Sequence, residues 1–477
     1  MRDHQGATGL ERVVTAADTE RESAGSTRAA PEDPRDEEPE ASRERRFRTF
    51  DSLIDVPAFR WYLLSMSGNW SALQMQQVAR GFLAYEITGS FAALGLVELA
   101  NTWPRLFLAL YGGVVADRAS RRVIIQVGQA VNALNAGVIA LLLFTGAFEF
   151  WHLIVMTLVQ GVLNSFVLPA RQAMIPEIVG PNRLMNAYAL NVFVLNVMRL
   201  GAPAFAGGLI AFLMVRTEQN ITVSVAAIFL LMALLNVGAV IGMFPIPRTD
   251  ARTRAAALGE AAEETVEQRP RRRRDAAGLR DIFDAFGYLK ANPIIIALMV
   301  IHSSTAMLSL PYQRLLPGFV KEALGGTDTN SAALMGLLLA VTAVGALLGS
   351  LLIASLPDRN RGKILALSLA VFGITLIAFS ASTIFWLSAG IVLVLGIGQS
   401  IRQSVANILI QARVEDTYRG RVSAIMLLDD GLESLGIFGI AVAADLVGSQ
   451  WALGAVGLML LVYGFVVWAI RPLRELD

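Results

Sequence analysis

The stretch "YGGVVADRASRRVIIQVG", Tyr111 to Gly128, changes character twice in eighteen residues. An apolar run rich in small residues ends at Ala116, charges crowd into Asp117–Arg122, and the apolar run then resumes. What such a knot means depends on the sequence around it. Of the 477 residues, 55% are hydrophobic and only 17% are charged, where a soluble globular chain has roughly a quarter charged. Apolar stretches of about 20 residues, each long enough to cross a ~30 Å hydrocarbon core as a helix, recur after residue 58. Strand-like alternation is absent, so helices must satisfy the backbone in lipid. An all-α membrane protein is expected.

Twelve spans are predicted, near 58–85, 90–116, 122–145, 150–170, 184–213, 221–246, 293–320, 331–356, 363–381, 384–410, 421–447 and 450–470. Nearly all the Lys and Arg between spans fall in the connections after even-numbered ones. Those after odd-numbered spans hold two, Arg216 and Lys321. This is the positive-inside asymmetry, and it predicts that both termini and every even-numbered connection are cytoplasmic. The knot at Asp117–Arg122 is then a short cytoplasmic turn between spans 2 and 3.

The predicted organisation is a polar, Pro- and Glu-rich tail at 1–48, a six-helix bundle at 58–246, a cytoplasmic linker at 247–291, a second bundle at 293–470 and a short tail at 471–477. The first tail has too few aliphatic residues to form a core and no apolar segment of a signal peptide. In the linker, Arg271, Arg272, Arg273 and Arg274 suit anionic lipid headgroups better than nucleic acid beside a membrane. Leu279, Ile282, Phe283, Phe286 and Leu289 recur at helical spacing, as in a helix lying on the surface.

The halves also resemble each other. Shifted by 235 without a gap, 161–190 lies over 396–425, with Gly161 on Gly396, Ser165 on Ser400 and Ala189 on Ala424. A duplicated six-helix unit predicts this, with a site near the midplane between the halves.

"GVVADRASRRVII" (113–125) resembles the loop 2–3 signature of the major facilitator superfamily, with Gly113, Asp117, Arg118, Arg121 and Arg122 in place and Ser120 where the family usually has Gly. A degenerate copy, "LPDRNRGK" (356–363), follows span 8. "GNWSALQMQQVARGFLAYEITGS" (68–90), "LPARQAMIPEIVGPNRLMNAYALN" (168–191) and "RVEDTYRGRVSAI" (413–425) resemble the bacterial exporter branch that includes siderophore and macrolide efflux proteins. The resemblance implies the major facilitator fold of two pseudo-symmetric six-helix bundles, alternating access, and a signature that latches the cytoplasmic ends of the halves in the outward-facing state. "RLGAPAFAGG" (199–208) resembles the antiporter motif of exporters, carried here by Gly201, Pro203, Gly207 and Gly208, with Gly-Ala-Pro in place of the usual Gly-Pro. A plain proline kink with small-residue packing explains the same residues.

Ionisable groups inside spans are costly and by default suggest function. Glu98 is expected near the outer surface, with Arg105 near mid-depth and Arg199 on the outer half of span 5, where it could pair Glu98. Asp429 and Glu433 are four apart and share a helical face, with Asp430 beside them. These carboxylates, together with Glu98, are candidates for carrying a proton, and Arg105 and Arg199 are candidates for lining the substrate cavity. The alternative is structural neutralisation, for instance by Arg402. His302 is read as packed. Asn69, Gln76, Gln77 and Arg80 form one stripe on span 1 that, with Trp70, Phe82 and Phe193, would line a cavity for a bulky amphiphile; the alternative is contact between helices.

The expected function is export of an amphipathic organic compound (drug, siderophore or similar metabolite) in exchange for protons, by a monomer in the bacterial inner membrane. There is no phosphate-cradling G-x-x-x-x-G-K-[ST] motif, and no catalytic constellation suggests an enzyme. No cofactor is expected. The sequence has no cysteine, and its three histidines, His4, His152 and His302, lie far apart, so no metal site is expected either. A facilitator or importer on the same fold and a non-transporting scaffold or sensor remain as alternatives.

Overall fold

A computed structural model of the chain describes residues 51–180, 183–217, 220–247, 287–290, 292–355, 359–415, 418, 422, 426 and 429–476. The described residues all fall in one compact unit. The tail at 1–48, Arg271–Arg274 and the predicted surface helix up to Phe286 fall outside the described residues. Leu289, at the end of that predicted helix, is buried, and neighbouring Tyr288 stacks on Tyr418 with ring centroids 4.1 Å apart.

Among the described residues twelve long helices follow in order: α1 Pro57–Thr88, α2 Phe91–Arg118, α3 Arg121–Phe144, α4 Phe150–Val179, α5 Leu184–Arg216, α6 Ile221–Gly242, α7 Pro293–Glu322, α8 Ser331–Ser355, α9 Arg361–Ala381, α10 Phe385–Arg413, α11 Asp429–Val447 and α12 Ser449–Ala469. No strand occurs among the described residues. Nine of these helices are long and apolar enough to cross a membrane; α1, α2 and α11 are not among them. Those three carry Arg80, Glu98 and Asp429 among other polar and ionised side chains. α7 breaks at Leu310, where Pro311 begins its second piece and leaves no N–H to continue the first.

Span 4 departs from expectation. Composition ends it near residue 170, because Arg171, Gln172 and Glu177 look like loop residues, yet α4 continues to Val179 through Pro169 and Pro176. Its extra turns hold because these polar groups find partners on neighbouring helices: Arg121 donates to Glu177 and to the Ala173 carbonyl, and Arg171 donates to Asn69.

The packing repeats with a shift of six helices. α2 packs on α4 as α8 packs on α10, α3 on α6 as α9 on α12, and α1 on α5 as α7 on α11. Between the halves, α5 packs on α8 and α11 on α2. The register read from sequence reappears in the contacts. A Cβ at Gly161 would overlap the Asn101 carbonyl of α2, and one at Gly396 would overlap the Thr342 carbonyl of α8. Small residues at these positions let the backbones meet, as in membrane interiors generally. The long apolar helices and their pairwise packing make this an integral membrane protein.

Candidate functional site

The turn at Gly89, between α1 and α2, marks one end of the bundle, and Ser120, between α2 and α3, the other. Gly89 takes φ +62° and closes α1 with its N–H on the Tyr85 carbonyl, a left-handed cap that favours glycine.

Toward the Gly89 end, the halves are joined by polar contacts. Asp445 of α11 accepts from the hydroxyl of Ser90 at 2.5 Å and from the backbone N–H groups of Phe91 at 2.6 Å and Ala92 at 2.9 Å. An anion of one half thus satisfies the orphan N–H groups of a helix belonging to the other. Lys321 of α7 pairs with Glu86 at 2.8 Å, and Tyr85 donates to Glu322 at 2.6 Å. Gly207 on α5 lies against the Ala332 carbonyl, and Gly336 on α8 against that of Pro203, too close in both cases for a Cβ.

Beneath this layer lies a charged centre shared by both halves. Glu98 on α2 is 3.3 Å from Arg80 of α1 and 3.3 Å from Arg314 of α7. Arg105 is within electrostatic reach of the same carboxylate. Arg80 also donates to Gln160 at 3.2 Å, which donates in turn to Gln76 at 2.6 Å. Gln77, Arg80, Glu98, Gln313, Arg314 and Met335 line a small cavity between the halves. Arg199, expected as a partner of Glu98, instead comes within electrostatic reach of Tyr312.

The stripe read on α1 divides between two neighbourhoods. Asn69 is buried and bonded to Asn236 and Arg171, and Gln76 is bonded to Gln160, so these two tie helices of the first half together. Gln77 faces the other half. Phe193 on α5 is 64% exposed.

In the second half, Asp429 accepts from Ser303 and lies 3.6 Å from His302 Nε2. Arg402 donates to Thr305 and Ser309 at 3.0 Å each and is within electrostatic reach of Glu433. His302, read as merely packed, therefore faces one of the candidate proton carriers. The side chain of Asp430 is outside the described residues.

At the Ser120 end, Arg121 binds α4, and Arg122 donates to the Ile246 carbonyl and lies 5.8 Å from the Phe244 ring centroid. These contacts stay within the first half. Arg118 is exposed, and the Asp117 side chain lies outside the described residues. Nothing approaches the Cβ position of Gly113 within 4 Å, whereas neighbouring Gly112 sits against the Ser165 carbonyl. In the antiporter-like stretch, Pro203 and Gly207 meet α8, while Gly201 and Gly208 have open space.

Arg171 and Arg314 went unnoticed as site residues. Arg171 was hidden by ending span 4 too early, and Arg314 by the absence of any spacing rule between α2 and α7. No group of three or more His, Asp or Glu able to hold a metal occurs among the described residues.

A family model described as Major Facilitator Superfamily matches residues 62–428 and 315–477. The chain is 22% identical to the "Staphyloferrin A transporter" of Staphylococcus aureus (strain NCTC 8325 / PS 47), over 80% of this chain and 87% of that protein. It is 23% identical to the "Uncharacterized MFS-type transporter YfiS" of Bacillus subtilis (strain 168), over 82% and 88% respectively. A crystal structure of the nucleoside transporter NupG superposes with a TM-score of 0.64 at 12% identity, covering 86% of this chain and 98% of that one.

Proposed function

This chain belongs to the Major Facilitator Superfamily, and on that premise we propose that it is a secondary active transporter exporting an amphipathic organic compound, siderophore- or drug-like, by proton antiport. The Ser120 end is cytoplasmic and the Gly89 end external, following the Lys and Arg asymmetry, in a bacterial inner membrane. The observation that carries this reading is Glu98, one buried carboxylate held by guanidinium groups of both halves. Rocking the halves apart must break that pair, and an ionised group that changes partners with conformation can couple charge movement to alternating access. The name of the Staphylococcus aureus relative supports the substrate class.

The halves are joined toward the Gly89 end. Asp117, Arg118, Arg121, Arg122 and Gly113 would then latch the Ser120 ends in the opposite state, while Arg271–Arg274 would rest on anionic headgroups. A facilitator is the second reading, and the Ser303 and His302 contacts of Asp429 favour it, since they can serve a purely structural role.

The test is transport in proteoliposomes with an imposed pH gradient and a panel of siderophores, dyes and amphipathic antibiotics. Gradient-driven flux is expected from the native chain. Flux that ignores the gradient would establish the facilitator instead.

A further inference from the structure

Arg171 sits on α4, 8% exposed. Its guanidinium stacks over the Trp70 ring at 4.8 Å from the centroid and donates to Asn69 Oδ1 at 2.5 Å. Its Nε–H is buried without a partner, and so is the indole Nε1–H of Trp70. Among the described residues no carboxylate pairs with Arg171. Arg80 and Arg314, by contrast, share Glu98. A buried cation lacking a counter-ion is expensive in a membrane interior, and unpaired buried donors add to the cost. The pair therefore stands ready for an acceptor that carries negative charge.

Its position is a second and independent observation. On α1, Gly81 meets Pro317 of α7, and Gln77 lines the cavity with Gln313 and Arg314. Trp70 precedes these residues by eleven and seven positions, so it lies on the same helical face, about 10 Å nearer the Ser120 end at 1.5 Å per residue. That face looks toward the other half. Trp70, packed with the stacked Arg171 against the core of the first half, thus lies on the α1 face turned to the other half, on the side away from the sealed layer.

We propose that Arg171 and Trp70 form an anion subsite in the first half, which selects organic carboxylates whose apolar body packs on the indole. The carboxylate takes the free N–H groups of the guanidinium and indole, and Asn69 holds the guanidinium in place. Charge-assisted bonds of this type are roughly twice as strong as neutral ones, so a carboxylate outcompetes a neutral compound of the same shape. This deepens the transporter reading by naming the charge of its substrate, and it rests on that reading.

The test uses the full chain in phosphatidylcholine nanodiscs, without any gradient, titrated with two fluorescent probes that differ only in charge, dansylglycine and dansylglycinamide. The native chain should bind the acid at least about ten-fold more tightly than the amide. Arg171→Gln should erase that preference, and Trp70→Leu should weaken both probes. Arg171→Lys, which keeps the charge but loses the planar fork, should lose several-fold in affinity for the acid with the amide unchanged, and this reads the site even if Arg171→Gln folds poorly. Equal affinities in the native chain, binding of neither probe, or a preference that survives Arg171→Gln would overturn the proposal. Proton-driven flux of neutral dyes without acid preference would remove the subsite and leave the antiporter standing. Acid preference with gradient-independent flux would do the reverse.

Discussion

Glu98 on α2 stands 3.3 Å from Arg314 on α7, and the same carboxylate oxygen stands 3.3 Å from Arg80 on α1. One anion thus bridges a cation of each half, under the layer where Asp445, Lys321 and Tyr85 close the Gly89 end. Glu98 and Arg80 are buried and Arg314 is half-buried, so removing the carboxylate strands Arg80 without its counter-charge. In a fully buried pair such a loss costs about 3–5 kcal/mol, and the exposure of Arg314 makes it smaller here. The cost falls on this conformation and not on one in which the halves part there.

Glu98→Gln should therefore favour opening at the Gly89 end. The chain has no cysteine, so a single Gln77→Cys in the cavity beneath can be labelled without background. A membrane-impermeant maleimide added on that side should react at least about ten-fold faster in Glu98→Gln than with Glu98 intact. An unchanged rate would mean that the ion pair does not hold the halves together.

The α5–α8 contact makes a steric prediction. Gly207 and Gly336 each press against a carbonyl of the opposite helix, while Gly208 has nothing within 4 Å. Gly336→Ala must push the helices apart at a cost of about 1–3 kcal/mol, the usual range for overpacking. Electron–electron distances between spin labels at Val215 and Thr329 should lengthen or split into two populations in Gly336→Ala. Gly208→Ala should match the parent chain.

Most spans were legible because lipid demands long apolar helices, and the repeat was legible because Gly161 and Gly396 answer the same packing need. Partners were not. Helical periodicity places Asn69, Gln76, Gln77 and Arg80 on one side of α1, but it cannot say that Asn69 meets α6, Gln76 meets α4 and Gln77 faces α7. His302 and Asp429 lie 127 positions apart, on helices brought together only by tertiary packing. Arg171 was taken for a loop cation because its partners, Asn69 and Trp70, lie a hundred residues upstream.

The His302–Asp429 contact gives the coupling prediction. Either group can hold a proton, and both face the interior of the second half, with Ser303 on Asp429 and Arg402 donating to the nearby Thr305. If the pair carries the coupled proton, Asp429→Asn should reduce gradient-driven flux in proteoliposomes at least about ten-fold, down to the rate without a gradient. Exchange of labelled for unlabelled substrate at equal pH should persist. Full gradient response in Asp429→Asn would assign the aspartate a structural role and move the search to Glu433 and Glu98.

The signature turn makes a prediction of stability. Its resemblance to the family draws attention to Gly113, yet the close approach belongs to Gly112, whose Cβ position is filled by the Ser165 carbonyl of α4. α2 and α4 pack along much of their length, so a methyl group wedged between their backbones cannot be relieved by one side chain turning away. Gly112→Ala should cost about 1–3 kcal/mol and lower the thermal midpoint in detergent or nanodiscs by a few degrees. Gly113→Ala, with open space at the same depth, should leave the midpoint within error of the parent while remaining free to alter transport if the latch acts in the opposite state. Equal midpoints for the two variants would show that the α2–α4 contact yields to a methyl group, and that small residues there do not set how closely the helices pack.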